Sequence, residues 1–383
     1  MKDSLDVNVL DRFVGKLTYE EDSYIFDYDD EASEFISLTM PIRTKQYINN
    51  QLHPIFEMHL PEGYLLSIIK KHFSKFTKTD DFGLLRLMSK SINTRITYSK
   101  HTTKTKPLTL EDILNPSSEN LFNELVSRFA LNSALSGVQP KVLANIEDKT
   151  TLKCNDYIIK SWGYEYPQLA LNEYYCMKIV KYANIPVPEF YISDDDKLFD
   201  MKRFDILDDG EKLGFEDMCV LQAKQRDDKY EGSYEQVVKT IKTFVSPKHK
   251  KVSLKQFFKM IVINNILQNG DAHLKNFGII YKDITDIKLA PAYDVISTTA
   301  YIKNDISALH LMGSKKWWAK KHILKFGIDS CCFTKSEVNK LYDECLKATQ
   351  KVSVEIENRL KNEKDKTKIE ILKHIYTTIQ NKT

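Results

Sequence analysis

The run Asn269-Gly270-Asp271-Ala272-His273-Leu274-Lys275-Asn276-Phe277 constrains this chain more than any other stretch. An apolar periodic segment leads into it. Leu254, Phe257, Phe258, Ile261, Val262 and Ile266 keep one helical stripe, and Asn269-Gly270 is a natural stop. Asp271 is therefore expected just past a buried helix that holds it rigidly. After Asn276 the pattern changes. Residues 277–281 read as a short strand, 282–286 as a polar turn and 287–290 as a returning strand. That hairpin is expected to bring Asp294 back beside Asn276.

The spacing carries chemistry. In phosphoryl transfer an Asp accepts the proton of the attacking hydroxyl, an Asn on the same loop reaches Mg²⁺, and a second carboxylate returns to the metal. Asp271, Asn276 and Asp294 supply those groups in that order. An isolated Asp-x-x-x-x-Asn also arises by chance, and Asn-Gly-Asp is an ordinary turn. The hairpin and the Tyr293-Asp294 behind it favour the functional reading.

A chain of 383 residues is long enough for roughly two to three structural units. With 42% hydrophobic residues it can bury a sizeable core, and a net charge of +3 does not by itself point to nucleic acid. Cys154, Cys176, Cys219, Cys331, Cys332 and Cys345 form no C-x-x-C and have no His cluster at zinc spacing, so they read as reduced thiols of a cytoplasmic protein. No apolar run approaches a membrane span, and residues 1–10 are too polar for a signal peptide.

Residues 1–105 read as a separate α+β unit. Strands are expected around Val7 to Leu10, over 12–17 with a Gly15 turn, over 24–28, and over 37–40 up to Pro41. Helices are expected around residues 65–73 and 80–88. His53, His59 and His72 share no metal-ligand spacing and are assigned structural or solvated roles. Residues 99–107 form a linker or long hairpin, and helical segments follow at 108–114 and 119–129. Ser136-Gly137-Val138-Gln139-Pro140-Lys141 then leads into a strand over 142–146. Backbone N–H groups of such a turn can cradle an anion, although a plain loop fits the same residues. Tyr157 to Lys160 is a strand ending in a lysine, the expected partner of nucleotide phosphates or else a solvated edge residue. A helix over 169–183 carries Glu173, which either pairs with Lys160 or sits on a wet face. Strands at 190–192 and 198–204 flank an acidic turn. Beyond about residue 217 the chain turns helical, with helices over 234–244 and 254–267, and 361–368 expected to be exposed and solvated.

Together these blocks resemble the HipA-type serine/threonine kinases, toxin halves of bacterial toxin–antitoxin pairs. The likeness rests on Ser136 to Lys141, Ile158-Ile159-Lys160, Asn172 to Cys176, Arg203-Phe204-Asp205, Glu216 to Cys219, Gly270 to Phe277 and Pro291 to Ser297. It implies an α+β, bilobal protein-kinase-like fold with a mixed α/β N-terminal part and an all-helical C-terminal lobe. The parts would be 1–105 as N-terminal subdomain, 106–216 as small lobe and 217–383 as large lobe. It carries Asp271 over as catalytic base and Asn276 and Asp294 as Mg²⁺ ligands. Lys160 becomes the phosphate lysine, and Ser136, Gly137, Val138, Gln139 and Pro140 the nucleotide loop. Lys202, Arg203 and Phe204 fall at the adenine, and His273, Leu274, Lys275 and Tyr293 beside the ATP.

Two positions depart from the family. Ala134 stands where the family has its autophosphorylated serine, which moves that candidate to Ser136 or Ser133. Val220 stands where the family often has Gln. The resemblance also implies a HipB-like helix-turn-helix antitoxin as partner, with operator DNA, and a substrate from the translation machinery such as an aminoacyl-tRNA synthetase. Lys315 and Lys316, beside Trp317-Trp318, are DNA-contact candidates, or simply a solvated basic face. Two other classes compete: a kinase-like co-repressor scaffold with little turnover, and a small-molecule phosphotransferase. The intact Asp271, Asn276 and Asp294 set disfavours the first. The N-terminal module and the Ser136 to Lys141 block disfavour the second.

Overall fold

Two tight turns launch the first sheet. Leu10-Asp11 and Glu21-Asp22 all have positive φ, between 49° and 62°, as two-residue hairpin loops require. They join β1 (Asp3–Val9), β2 (Arg12–Glu20) and β3 (Ser23–Tyr28) into antiparallel ladders. The structure, a computed structural model, describes residues 3–60, 80–89, 92–98, 108–109, 141–148, 153–161 and 165–381. The expected helix over 65–73, the linker over 99–107, the helix over 119–129 and the turn Ser136 to Pro140 lie outside these residues. The chain divides into two units, residues 1–161 with 205–228, and residues 162–204 with 229–383.

In the first unit the N-terminal sheet has the order β4-β3-β2-β1-β5, with β4 at Tyr47–Asn49 and β5 at Ile96–Thr97. Its core is Val7, Val14, Leu17, Phe26, Phe56 and Phe82, all at most 2% exposed. Gly15 lies inside β2 rather than at a turn, and it is glycine there because a Cβ would meet the Asp27 carbonyl oxygen at 2.2 Å. Residues 37–40 are no strand either: Ser37 and Met40 form one isolated bridge. His53 caps α1 (Pro54–Glu57) by accepting the Ile55 N–H, and the ring of His59 bonds Tyr98 Oη at 2.7 Å. Asp80 caps α2 (Asp81–Met88) by accepting the Gly83 N–H at 2.7 Å. Leu108–Thr109, expected to start a helix, forms β6, parallel to β7 (Lys141–Asp148). β7 pairs antiparallel with β8 (Lys153–Lys160).

The second unit opens with α3 (Leu169–Tyr182) and the hairpin β9 (Phe190–Ile192) with β10 (Phe199–Lys202). The chain then returns to the first unit for β11 (Gly214–Asp217) and α4 (Met218–Leu221). There the buried Glu216 carboxylate accepts from Ser37 Oγ at 2.7 Å and from Leu38 N–H at 2.9 Å. Arg226 pairs with Glu57 and Asp81.

The second unit continues with α5 (Tyr234–Phe244) and α6 (Pro247–Leu267), then the hairpin β12 (Gly278–Tyr281) with β13 (Lys288–Leu289). It ends in α7 (Lys320–Asp329), α8 (Lys335–Leu360) and α9 (Lys366–Gln380). Capping boxes at Ser233/Gln236 and Thr334/Glu337 fix the starts of α5 and α8. The helical lobe thus contains a β-hairpin, and residues 361–368 are not all solvated. Lys368 bonds the buried Asp196 at 2.6 Å, and its side chain is 16% exposed. Among the described residues Cys176, Cys219, Cys331, Cys332 and Cys345 are free thiols. No described helix is long and apolar enough to cross a membrane.

Candidate functional site

The helix α6 is buried from Ser253 to Leu267 on most of its faces and ends at a left-handed Gln268 (φ 54°). Gln268, not Gly270, therefore makes the turn out of the helix. The next three residues are locked from several sides. Asn269 Nδ2 donates to Asn264 Oδ1 at 3.0 Å, and Asn269 Oδ1 accepts the Asp271 N–H at 3.1 Å. Thr298 Oγ1 accepts the Gly270 N–H at 2.8 Å, donates to the Gln268 carbonyl at 3.0 Å, and also meets the Asp305 carboxylate. Gly270 leaves room for that last neighbour: a Cβ would lie 1.9 Å from Asp305 Oδ2, and the carboxylate would have to shift.

Asp271 emerges from this cradle with its side chain 40% exposed. Tyr230 Oη donates to Asp271 Oδ1 at 2.5 Å, and His273 Nε2 lies 3.8 Å from the same oxygen. The His273 ring stands edge-on to Tyr230, centroids 5.0 Å apart. The loop is closed behind Asp271 by Asn276, whose Nδ2 donates to the Asp271 carbonyl at 2.7 Å. Leu274, expected beside the nucleotide, is fully buried and gives its N–H to the Lys229 carbonyl at 3.0 Å. Phe277 anchors the exit, edge-on to Phe257 at 5.1 Å and to Tyr234 at 6.2 Å. Tyr234 donates to the Ala272 carbonyl at 3.2 Å, and burial pushes its phenol up to about 12.

The hairpin after Asn276 forms where its pattern implied. Ile279 faces Leu289 and Ile280 faces Lys288 in register, and Ala290 N–H donates to the Gly278 carbonyl at 2.9 Å. Helix α6 holds the returning arm: Gln256 Nε2 donates to the Ala290 carbonyl at 2.6 Å, and Ser253 Oγ accepts the Leu289 N–H at 3.1 Å. The return closes on the loop itself, because Tyr293 Oη donates to the Lys275 carbonyl at 2.8 Å. The residues preceding Asp294 and Asn276 are thus directly bonded. Asp294 has φ 54°, a conformation an L-residue holds only at a cost and keeps where the surroundings over-determine it. Those surroundings include Asn172, fully buried on α3. Its amide accepts the Ser297 N–H at 2.8 Å and donates to the Ser297 carbonyl at 3.0 Å.

Of the adenine candidates, Phe204 stacks on Tyr293 with centroids 5.6 Å apart and 27° between planes. Arg203 is buried. Lys202 gives its N–H to the Glu189 carbonyl at 2.8 Å and faces the Glu189 carboxylate at 4.0 Å. Lys160 ends β8 in the first unit, opposite Lys141, at 1% exposure. Ser136, Gly137, Val138, Gln139 and Pro140 lie outside the described residues. Lys315 donates to the Tyr230 carbonyl at 2.9 Å, and Lys316 sits 4.1 Å over the Trp318 ring.

The site residues absent from the sequence reading are Tyr230, Thr298 and Asp305. None has a motif of its own, and each is brought to the loop by folding. As to a cation, Asn276 Nδ2 is committed to the Asp271 carbonyl, so its amide oxygen would be the atom to face one, with the Asp294 carboxylate as the candidate second ligand. Among the described residues no three His, Cys, Asp or Glu side chains gather into a metal site, so these two would need phosphate oxygens to complete a shell, as in phosphoryl transfer.

Comparison with known proteins places the chain by family and fold. A family model described as the HipA-like C-terminal domain matches residues 133–353, and one described as the HipA N-terminal domain matches residues 5–98. A Sinorhizobium fredii protein named "Putative kinase Y4dM" is 26% identical over 348 residues, 82% of this chain and 81% of that one. A Haemophilus influenzae protein named "Putative kinase" is 32% identical over 187 residues, 44% of this chain and 53% of that one. The solved complex of Shewanella oneidensis HipA and HipB with operator DNA contains a chain similar in fold, with TM-score 0.72 and 17% identity, covering 99% of this chain and 96% of that one. A C-terminal match across more than half of the sequence, an N-terminal match ahead of it and a shared fold along nearly the whole length have one reading: the chain belongs to the HipA family.

Proposed function

We propose that this protein is an ATP- and Mg²⁺-dependent serine/threonine protein kinase, the toxin of a type II toxin–antitoxin pair. One observation carries the reading. The loop that presents Asp271 is tied through the Tyr293–Lys275 bond to the segment bearing Asp294, so base and metal carboxylate belong to one cradle. Asp271 takes the proton of an attacking hydroxyl as the bond to phosphorus forms. Asn276 and Asp294 would hold Mg²⁺, which offsets charge on the phosphate oxygens when bound. Tyr293 and Phe204 offer a flat apolar surface for adenine, and Lys160 and the loop Ser136 to Pro140 are assigned to the phosphates. The partner is a HipB-like helix-turn-helix antitoxin, with operator DNA met through that complex, where Lys315 and Lys316 are candidate phosphate contacts. The substrate belongs to the translation machinery, an aminoacyl-tRNA synthetase being the leading class, and the protein acts in the cytoplasm.

The test is transfer of labelled phosphate from ATP with Mg²⁺ to lysate proteins, by wild type and Asp271→Asn. The variant keeps the size of the side chain but not its basicity. Its rate should fall by about 10²–10⁴-fold, with ATP binding and melting temperature nearly unchanged. Undiminished transfer by Asp271→Asn removes Asp271 as base. ATP binding without any transfer by wild type favours the co-repressor scaffold instead.

A further inference from the structure

The acceptor side of Asp271 already holds a hydroxyl. Tyr230 Oη lies 2.5 Å from Asp271 Oδ1, where a hydroxyl must be to hand its proton to that base. The residue is not part of the core, being 38% exposed. Its backbone is nevertheless held against the loop. Leu274 donates its N–H to the carbonyl of the preceding Lys229 at 3.0 Å, and Lys315 Nζ donates to the Tyr230 carbonyl at 2.9 Å. Lys229 Nζ lies 5.6 Å from the ring centroid, while Lys315 meets the same residue at its backbone carbonyl. Opposite charge of this kind suits a phosphorylated side chain.

We infer that Tyr230 is an internal phosphate acceptor, a tyrosine modification site served by the chain's own Asp271. This inference rests on the kinase reading above. The phenolic oxygen forms the new bond to the γ-phosphorus of ATP, and the bond from that phosphorus to the β,γ-bridging oxygen breaks. The bridging oxygen leaves on ADP with the electron pair, and the phenol proton passes to Asp271. The product can no longer donate to Asp271 and carries negative charge beside a carboxylate. The modified ring therefore leaves the base, with the Lys229 ammonium beside it as counter-charge.

The experiment incubates the full chain with labelled ATP and Mg²⁺ and locates phosphate by peptide mass spectrometry. Wild type, Asp271→Asn and a mixture of the two are compared, the variant chain in the mixture being grown in heavy nitrogen so that its peptides are told apart. Phosphotyrosine at position 230 is expected in wild type, reduced by about 100-fold or more in Asp271→Asn. In the mixture the variant chain should stay unlabelled, because acceptor and base belong to one molecule. Wild type that phosphorylates other residues or lysate proteins while Tyr230 stays unmodified overturns the inference and leaves the kinase reading standing. Label on Tyr230 of the Asp271→Asn chain in the mixture overturns the internal route. Wild type that transfers phosphate to nothing overturns both.

Discussion

Asp200 on β10 is a residue the hydrophobic pattern cannot explain. It is fully buried between Phe199 and Met201, and neither carboxyl oxygen has a hydrogen-bond partner among the described residues. Burial pushes its carboxyl from the ordinary 3.8 up to about 8. Between those values the folded chain holds a proton that the unfolded chain gives up, so stability falls as pH rises through the window and levels off above about 8. The slope reaches at most about 1.4 kcal/mol per pH unit. Asp200→Asn cannot ionise and should flatten it. Melting temperature of the variant relative to wild type should climb steadily from pH 4.5 to pH 8, and a constant difference would show that Asp200 does not titrate in that range. Asp271, Asn276 and Asp294 stand out as candidates in the sequence because the pattern they form is one of spacing. Asp200 does not, since a charged residue in a strand normally signals an exposed face.

At the scale of elements, the end of α6 and the hairpin were legible almost to the residue, whereas α6 begins at Pro247, ahead of the apolar stripe that starts at Leu254. Their signals are local: a 3.6-residue apolar period, then two short β-prone runs around a polar turn. The reason for Gly270 was not. The sequence suggests a helix stop, but the left-handed residue is Gln268, and Gly270 is small because Asp305 lies against it. Gly270→Ala must displace the Asp305 carboxylate, which meets Thr298, and should cost about 1–3 kcal/mol as overpacking. Adding Asp305→Ala should recover part of that loss, since the two changes share one clash. Urea unfolding of the two single variants and the double variant measures the coupling, and strict additivity would show that Asp305 is not the obstacle.

On the scale of the molecule, each unit is closed by polar bonds between distant segments. In the second unit Arg359 Nη1 donates to Asp196 Oδ1 at 3.1 Å, its Nη2 meets Oδ2, and Lys368 adds a bond of 2.6 Å to Oδ2. This fastens the β9–β10 turn to the last two helices. Asp196 is 3% exposed, so losing the guanidinium leaves a buried carboxylate with Lys368 as its remaining cation. Arg359→Ala should cost about 2–3 kcal/mol, while Asp196→Asn in the same background should cost much less than it does alone. Thermal unfolding of that cycle checks it, and equal costs in both backgrounds would mean the pair is uncoupled.

The sequence by itself determined the helix end, loop and hairpin around residues 254–290 and the order of Asp271, Asn276 and Asp294. Periodicity, caps and turns act between residues a few positions apart, and the Asp271 to Asn276 spacing lies within one loop. It also carried the family resemblance, because those short blocks recur in order. Only the tertiary structure decided what surrounds them. Tyr230 meets Asp271 across 41 positions, Ser297 meets Asn172 across 125, and Lys368 meets Asp196 across 172. A hydrogen bond needs its atoms within about 3 Å whatever their distance along the chain. No period or motif says which residues will meet, even where each lies in a family block as Asn172 and Ser297 do, and the pairings are settled only when the buried faces of the helices and sheets have chosen how to pack.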